Sequence, residues 1–171
     1  TGITVMISLP TGTKLANWST SLVGGLVRVS LSTGYLYSIL VLMMFTLGGS
    51  TGIVLGNAAL DLSLHDIYYV MAHFHFILSL GTMVSILVGV LYSGEWVVLG
   101  FPPLSSPLTG YQYIGISLGV VITFLPGHYL GYQGGGIRRG PVVPGYSLPW
   151  APLASLGNIL TVMSILVSPR V

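Results

Sequence analysis

Five long apolar stretches, separated by short segments rich in glycine, proline and charge, dominate the sequence. They cover approximately residues 1–23, 33–60, 66–92, 111–132 and 149–167. Each can cross roughly 30 Å of hydrocarbon, because a helix rises about 1.5 Å per residue. Helix is the expected conformation, since lipid offers no hydrogen-bond partner to the backbone. The pattern predicts an all-α, polytopic membrane helix bundle with five transmembrane helices.

The composition excludes several other classes of protein. Hydrophobic residues make up 53% of the 171 residues and charged residues only 5%, whereas soluble domains contain about 25% charged residues. The five basic residues are scattered, so we expect no nucleic-acid partner. The chain has no cysteine, which rules out a disulfide framework and cysteine-ligated metals. Its start has no charged n-region or cleavage site, so we expect no signal or transit peptide.

Chemically active side chains concentrate in residues 61–75. This stretch holds three of the four histidines and two of the three acidic residues. They are Asp61, His65, Asp66, His73 and His75. Ionisable groups are costly inside a membrane and usually functional there. We therefore expect the chemistry of the protein in this stretch.

His73 and His75 lie well inside the third apolar stretch. Two residues apart on a helix means about 200° of rotation, so the imidazoles point to opposite sides. They cannot bind one metal together, but they can serve two cofactors. Neutral imidazole suits iron and copper, and it is a standard haem ligand. The alternative is that one or both hydrogen-bond neighbouring helices.

Polar residues at one end of the predicted bundle suggest a second site. His65 and Asp66 can bind a divalent cation, although a helix cap at Asp66 beside a loop histidine is the commoner arrangement. In a five-helix topology, Arg138 and Arg139 share a membrane face with them and with Asp61. Guanidinium groups suit carboxylates. The alternative for the arginines is a solvated loop pair.

Lys14 is the only lysine, about fourteen residues into the first stretch. Thr11 lies three residues earlier, on nearly the same helix face. A hydroxyl and an amine on one face suit a water-filled proton path. The alternative is that Lys14 pairs with an acid on another helix or subunit.

Four motifs resemble one known family. They are LDLSLHDIYYVMAHFH at 60–75, PTGTK at 10–14, TLGGSTGIVL at 46–55 and PGHYLG at 126–131. They are similar to the carboxy-terminal part of subunit I of the haem–copper terminal oxidases, most closely the mitochondrial type that oxidises cytochrome c. The resemblance covers nearly the whole chain, as helices VIII to XII of a twelve-helix subunit.

The resemblance implies a role for each matching residue. His73 corresponds to the axial ligand of haem a3, and His75 to a ligand of haem a. Phe74 lies between the haems. His65 and Asp66 correspond to magnesium ligands near the interface with subunit II.

Three further residues correspond to partners of the haem propionates: Asp61, Arg138 and Arg139. Lys14 and Thr11 correspond to a proton path. The implied activity is four-electron reduction of oxygen to water with electrons from cytochrome c, coupled to proton pumping across the inner mitochondrial membrane. The N-terminus is expected on the intermembrane side and the C-terminus in the matrix.

The chain also departs from the family pattern. Gly127 replaces a usual glutamine and Val23 a usual histidine, and the segment 140–149 lacks the usual acidic, tyrosine-rich character. The family needs six histidine ligands, and this chain has four histidines, two of them in the right context. We therefore expect a split subunit, in which another chain supplies helices I to VII, the copper ligands and the remaining haem ligand. Subunits II and III, cytochrome c and membrane lipid are the other expected partners.

Two alternative functions remain at this point. One is a membrane cytochrome that relays electrons between two haems. It would need second axial ligands, and His128 alone cannot serve both haems. The other is a haem-free structural fragment that completes a helix bundle.

Overall fold

The computed structural model describes residues 1–24, 33–90, 107–133 and 150–167. These residues form six helices and no strand. The helices are α1 (Gly2–Val23), α2 (Thr33–Leu55), α3 (Ala58–Leu64), α4 (Tyr68–Val90), α5 (Pro107–Tyr132) and α6 (Trp150–Leu166). The predicted all-α membrane bundle is confirmed.

Three helices, α2, α4 and α5, are long and apolar enough to cross a membrane. The helix α6 is also apolar but has 17 residues. The helix α1 has 22 residues, and its many hydroxyls bond back to its own carbonyls, as in the 3.1 Å bonds from Thr11 to Ile7 and from Thr13 to Leu9. Such bonds let polar side chains lie in an apolar medium. The count of five spans stays a prediction.

The second predicted helix is interrupted near its end. We expected one helix over 33–60, but α2 ends at Leu55 and α3 begins at Ala58. Asn57 is the cause, because its side chain accepts a 3.2 Å hydrogen bond from the amide of Ala59 and caps a new helix. Asparagine is favoured at this position because it satisfies an unpaired amide of the first turn.

The start of α4 also differs from the expectation. Asp66 does not cap this helix. Its φ of 58° places it in the left-handed region, and the residue that precedes the first turn is Ile67. The first turns, Tyr68–Phe74, are α-helical, and the next eight residues, His75–Thr82, form a π-helix. A π segment is rare and frequently marks a functional site.

Glycines bring α5 and α6 into backbone contact. A Cβ on Gly119 would lie 2.9 Å from the carbonyl oxygen of Gly157, and a Cβ on Gly157 would lie 2.7 Å from the carbonyl oxygen of Gly119. Small residues at such crossings allow close packing where lipid gives no hydrophobic drive between helices. These contacts fix the position at which α6 packs along α5.

The buried core joins α2, α4 and α5. It contains Tyr37, Leu40, Met44, Phe76, Leu80, Val84, Ile116 and Val120. At one end of this core, the hydroxyl of Tyr69 near the start of α4 lies 3.2 Å from that of Tyr132 at the end of α5. The start of α4 and the end of α5 therefore lie at the same end of the bundle.

We predict that Gly119→Ala weakens the contact between α5 and α6. The added methyl group would overlap the backbone of α6, which typically costs about 1–3 kcal/mol. Gly110→Ala on the same helix is the matched control, because its Cβ would meet nothing within 4 Å. Unfolding of both variants in mixed micelles measures the difference. Equal free energies of unfolding would contradict the packing described here.

Candidate functional site

The imidazole of His73 is anchored to α2. Its Nδ1 lies 2.9 Å from the carbonyl oxygen of Gly48 and 2.9 Å from the hydroxyl of Thr51. Thr51 itself donates to the same carbonyl over 2.7 Å. Because a carbonyl only accepts, Nδ1 of His73 carries the proton. The neutral ring then has Nε2 as a free electron-pair donor.

Gly52 makes room for this ring. A Cβ there would lie 2.8 Å from Cε1 of His73, a separation that real side chains essentially never show. His73 also lines a cavity of about 480 Å³ between α1 and α2. Thr11 and Ser50 are among the other lining residues. The free nitrogen of His73 therefore belongs to a ring that borders a cavity of ligand-binding size.

His75 is anchored in a similar way but within its own helix. Its Nδ1 donates to the carbonyl of Met71 over 2.6 Å. The ring lies between two aromatic neighbours, with centroids 4.4 Å from Phe74 and 5.2 Å from Phe124. It lines a different cavity, of about 640 Å³, between α4, α5 and α6.

Both histidines meet a requirement of metal ligands. A ligating imidazole almost always donates its second ring nitrogen to a carbonyl or carboxylate, which orients the ring. His73 and His75 do so, and they border separate cavities. The two rings thus border different cavities, as two imidazoles on opposite sides of one helix should. Phe74 stacks on His75 with an interplanar angle of 30°.

The fourth histidine of the chain is His128. It lies inside α5, with its ring 5.3 Å from that of Tyr69 and 5.2 Å from that of Phe76. Its Nδ1 donates to the carbonyl of Phe124 over 3.1 Å. Its Nε2 is fully enclosed and has no hydrogen-bond partner. Because protein surrounds that nitrogen, His128 lacks the open position of His73 and His75.

The two residues of the predicted cation site lie side by side. Nε2 of His65 lies 3.4 Å from a carboxylate oxygen of Asp66, and both side chains are largely exposed. Asp61 and His65 line an open cleft beside α3. Among the described residues no group of three or more His, Asp or Glu side chains converges. Arg138 and Arg139 lie outside the described residues, as does the segment 140–149.

The two residues of the predicted proton path occupy neighbouring faces of α1. Thr11 lines the cavity beside His73. Lys14 is exposed, and no described acidic residue forms an ion pair with it. The structure therefore places the threonine, but not the lysine, at the lining of the His73 cavity.

Several supporting residues were not predicted individually. Gly48, Thr51 and Gly52 position His73, while Phe124 and Met71 position His75. The sequence feature that indicates the anchor of His73 is a hydroxyl residue, Thr51, three residues after Gly48.

Comparison with known proteins identifies the family of the chain. Residues 1–166 match the model of the family described as cytochrome c and quinol oxidase polypeptide I. The chain belongs to this family. The resemblance described from the motifs is confirmed.

Curated relatives carry the name cytochrome c oxidase subunit 1. The protein of Eremothecium gossypii is 40% identical over 166 residues, which cover 97% of this chain and 30% of the relative. Those of Candida albicans and Plasmodium chabaudi are each 38% identical over 167 residues, which cover 98% of this chain and 30% and 34% of the relative. The chain thus spans about a third of the length of the relatives it matches.

We predict that Gly52→Ala displaces the ring of His73. The methyl group would occupy the space of Cε1, so the bond from Nδ1 to Gly48 should lengthen or break. Solid-state NMR of the chain labelled with ¹⁵N-histidine should then lose one Nδ1–H signal. Gly49→Ala is the matched control, because its Cβ would meet nothing within 4 Å. An unchanged spectrum for Gly52→Ala would contradict the proposed anchor.

Proposed function

We propose that this chain is the carboxy-terminal part of the catalytic subunit of cytochrome c oxidase. The complex would reduce oxygen to water by four electrons and couple this to proton pumping. The observation that carries the proposal is the pair of imidazoles, each oriented through Nδ1 and each bordering its own cavity. Membership of the family supports it.

His73 would bind the iron of haem a3, and His75 the iron of haem a. When bound, the haems and copper would carry electrons from cytochrome c to oxygen. The residues of this chain would orient and separate the two sites. The bond to Gly48 fixes the ring of His73, and the absence of a Cβ at Gly52 keeps its space free. Phe74 follows one histidine and precedes the other, which suits a position between the haems.

The remaining ligands would come from a partner chain. The family requires six histidines, and only His73 and His75 fit here. An N-terminal fragment of subunit I, carrying helices I to VII, would supply the copper ligands and the other haem a ligand. Subunits II and III would complete the complex, cytochrome c would donate electrons, and lipid would surround it.

Thr11 and Lys14 would deliver protons towards the oxygen site. Thr11 supports this role by lining the cavity next to His73. Lys14 would need a polar path contributed by the partner chain, since a buried amine is costly without one. Its exposure on α1 leaves it free to face such a partner.

The polar end of the bundle would bind magnesium and the haem propionates. His65 and Asp66 supply two ligands, while magnesium prefers six in an octahedron. Water and subunit II would therefore complete its coordination. The haem propionates would be bound by Asp61, Arg138 and Arg139. The contact between Tyr69 and Tyr132 supports this, because it brings the start of α4 and the end of α5 to one end of the bundle.

The complex would lie in the inner mitochondrial membrane. With five spans, the N-terminus of this chain and the polar end of the bundle would lie on the same side of the membrane. With the N-terminus on the intermembrane side, an odd number of spans leaves the C-terminus in the matrix. The three long apolar helices support a multi-pass membrane position.

The two other functions fit the structure less well. An electron-relay cytochrome would need a second axial ligand for each haem, and Nε2 of His128 is enclosed by protein. A haem-free structural fragment would have no use for two anchored imidazoles that border cavities. A haem-free fragment also gives no reason for the glycine at position 52, where a Cβ would lie 2.8 Å from Cε1 of His73.

We predict that the two histidines support different spectral signals in the purified complex. His73→Leu should remove the carbon-monoxide-reactive haem and abolish oxygen reduction. His75→Leu should remove the low-spin haem a absorption instead. Visible spectra of the reduced complex, with and without carbon monoxide, measure both effects. A wild-type complex with b-type spectra and no carbon-monoxide reactivity would indicate the relay function.

A further inference from the structure

Asn158 places a carboxamide in the middle of the apolar helix α6. Its carboxamide is exposed and has no hydrogen-bond partner among the described residues. The hydroxyls of the same helix are satisfied instead, with bonds of 3.0 Å from Ser155 to Ala151, 2.9 Å from Thr161 to Gly157 and 2.7 Å from Ser164 to Leu160. An unpaired carboxamide in an apolar medium is costly, so a partner for Asn158 is expected.

Packing places Asn158 at the depth of His75. Its neighbour Gly157 contacts Thr123 of α5, since a Cβ on Gly157 would lie 2.7 Å from the amide nitrogen of Thr123. The next residue, Phe124, stacks on His75 at 5.2 Å with an interplanar angle of 19°. One chain of contacts therefore runs from α6 through α5 to the histidine.

Asn158 and His75 face the same cavity of about 640 Å³. The α6 wall also contains Ala151 and Ala154, whose small side chains leave the carboxamide accessible. Two other polar groups of the lining are already engaged. The hydroxyl of Thr123 bonds to Gly119 over 2.7 Å, and Nδ1 of His75 bonds to Met71 over 2.6 Å.

The depth of Asn158 indicates what kind of group it can bind. It lies eight residues after Trp150 at the polar end, or about 12 Å along a helix. Charged carboxylates favour the polar end, where water reaches them. At the depth of Asn158 an uncharged oxygen is the better partner, and a carboxamide can donate to it or accept from it.

We propose that the carboxamide of Asn158 hydrogen-bonds an uncharged oxygen substituent, a carbonyl or a hydroxyl, on the rim of the haem held by His75. Asn158 is then a specificity-determining residue that selects a haem with such a substituent. This inference rests on the proposed function. The competing partner is a polar side chain on a neighbouring helix, because carboxamides also join membrane helices.

The test compares complexes that contain Asn158→Leu, Asn158→Gln or wild-type Asn158. Leucine keeps a similar volume without hydrogen-bonding groups, while glutamine keeps the carboxamide. Ser155→Ala is the matched control, because Ser155 lies on α6 but does not line this cavity. Resonance Raman spectra report the haem carbonyl stretch, visible spectra report the low-spin band, and detergent challenge reports haem retention.

We expect Asn158→Leu to shift the low-spin band or its carbonyl stretch and to release that haem roughly fivefold faster, as for one lost hydrogen bond. The carbon-monoxide-reactive haem should stay unchanged, Asn158→Gln should restore part of the signal, and Ser155→Ala should resemble the wild type. If Asn158→Leu does not assemble, Asn158→Ser replaces it, because a serine hydroxyl bonds back to its own helix.

Two outcomes would overturn the inference. Identical low-spin spectra and haem retention in the wild type and in Asn158→Leu would show that Asn158 does not contact the haem. Equal loss of both haems would assign Asn158 to helix packing. The proposed function fails separately, if the wild-type complex contains no low-spin haem or no carbon-monoxide-reactive haem.

Discussion

The hydrogen bond from His73 to the carbonyl of Gly48 ties the candidate site to the bundle. It joins α4 to α2, sets the protonation of the ring and leaves Nε2 free. The bond requires α2 and α4 to pack closely, and glycine allows this, because a Cβ on Gly48 would lie 2.7 Å from Cγ1 of Ile77. One contact thus links helix packing, ring orientation and the chemistry that the ring can perform.

A comparable constraint acts on the other side of α4. There the ring of His75 is held by its own helix and by stacking on Phe124, and the position of α5 depends on glycine contacts with α6. Apart from α4, which lines both, the two cavities are built by different helices, although their histidines are separated by a single residue. Because of this separation, one helix presents a histidine to each of two cavities.

Much of this arrangement could be predicted from the sequence. The apolar stretches located the helices to within a few residues, and the spacing of His73 and His75 indicated two separate sites. The break at Asn57 and the unusual backbone of Asp66 could not be predicted, since both depend on local hydrogen bonding rather than on hydropathy. The π segment after His75 has no hydropathy signature either, and the anchors Thr51 and Met71 belong to a tertiary arrangement.

The helix α1 buries none of its residues, whereas the α5 and α6 pair shares backbone contacts along its length. Local stability follows such differences in packing. We therefore expect the α5 and α6 pair to resist local opening more than α1 does. Opening of α1 would therefore expose the His73 cavity, whose wall this helix partly forms.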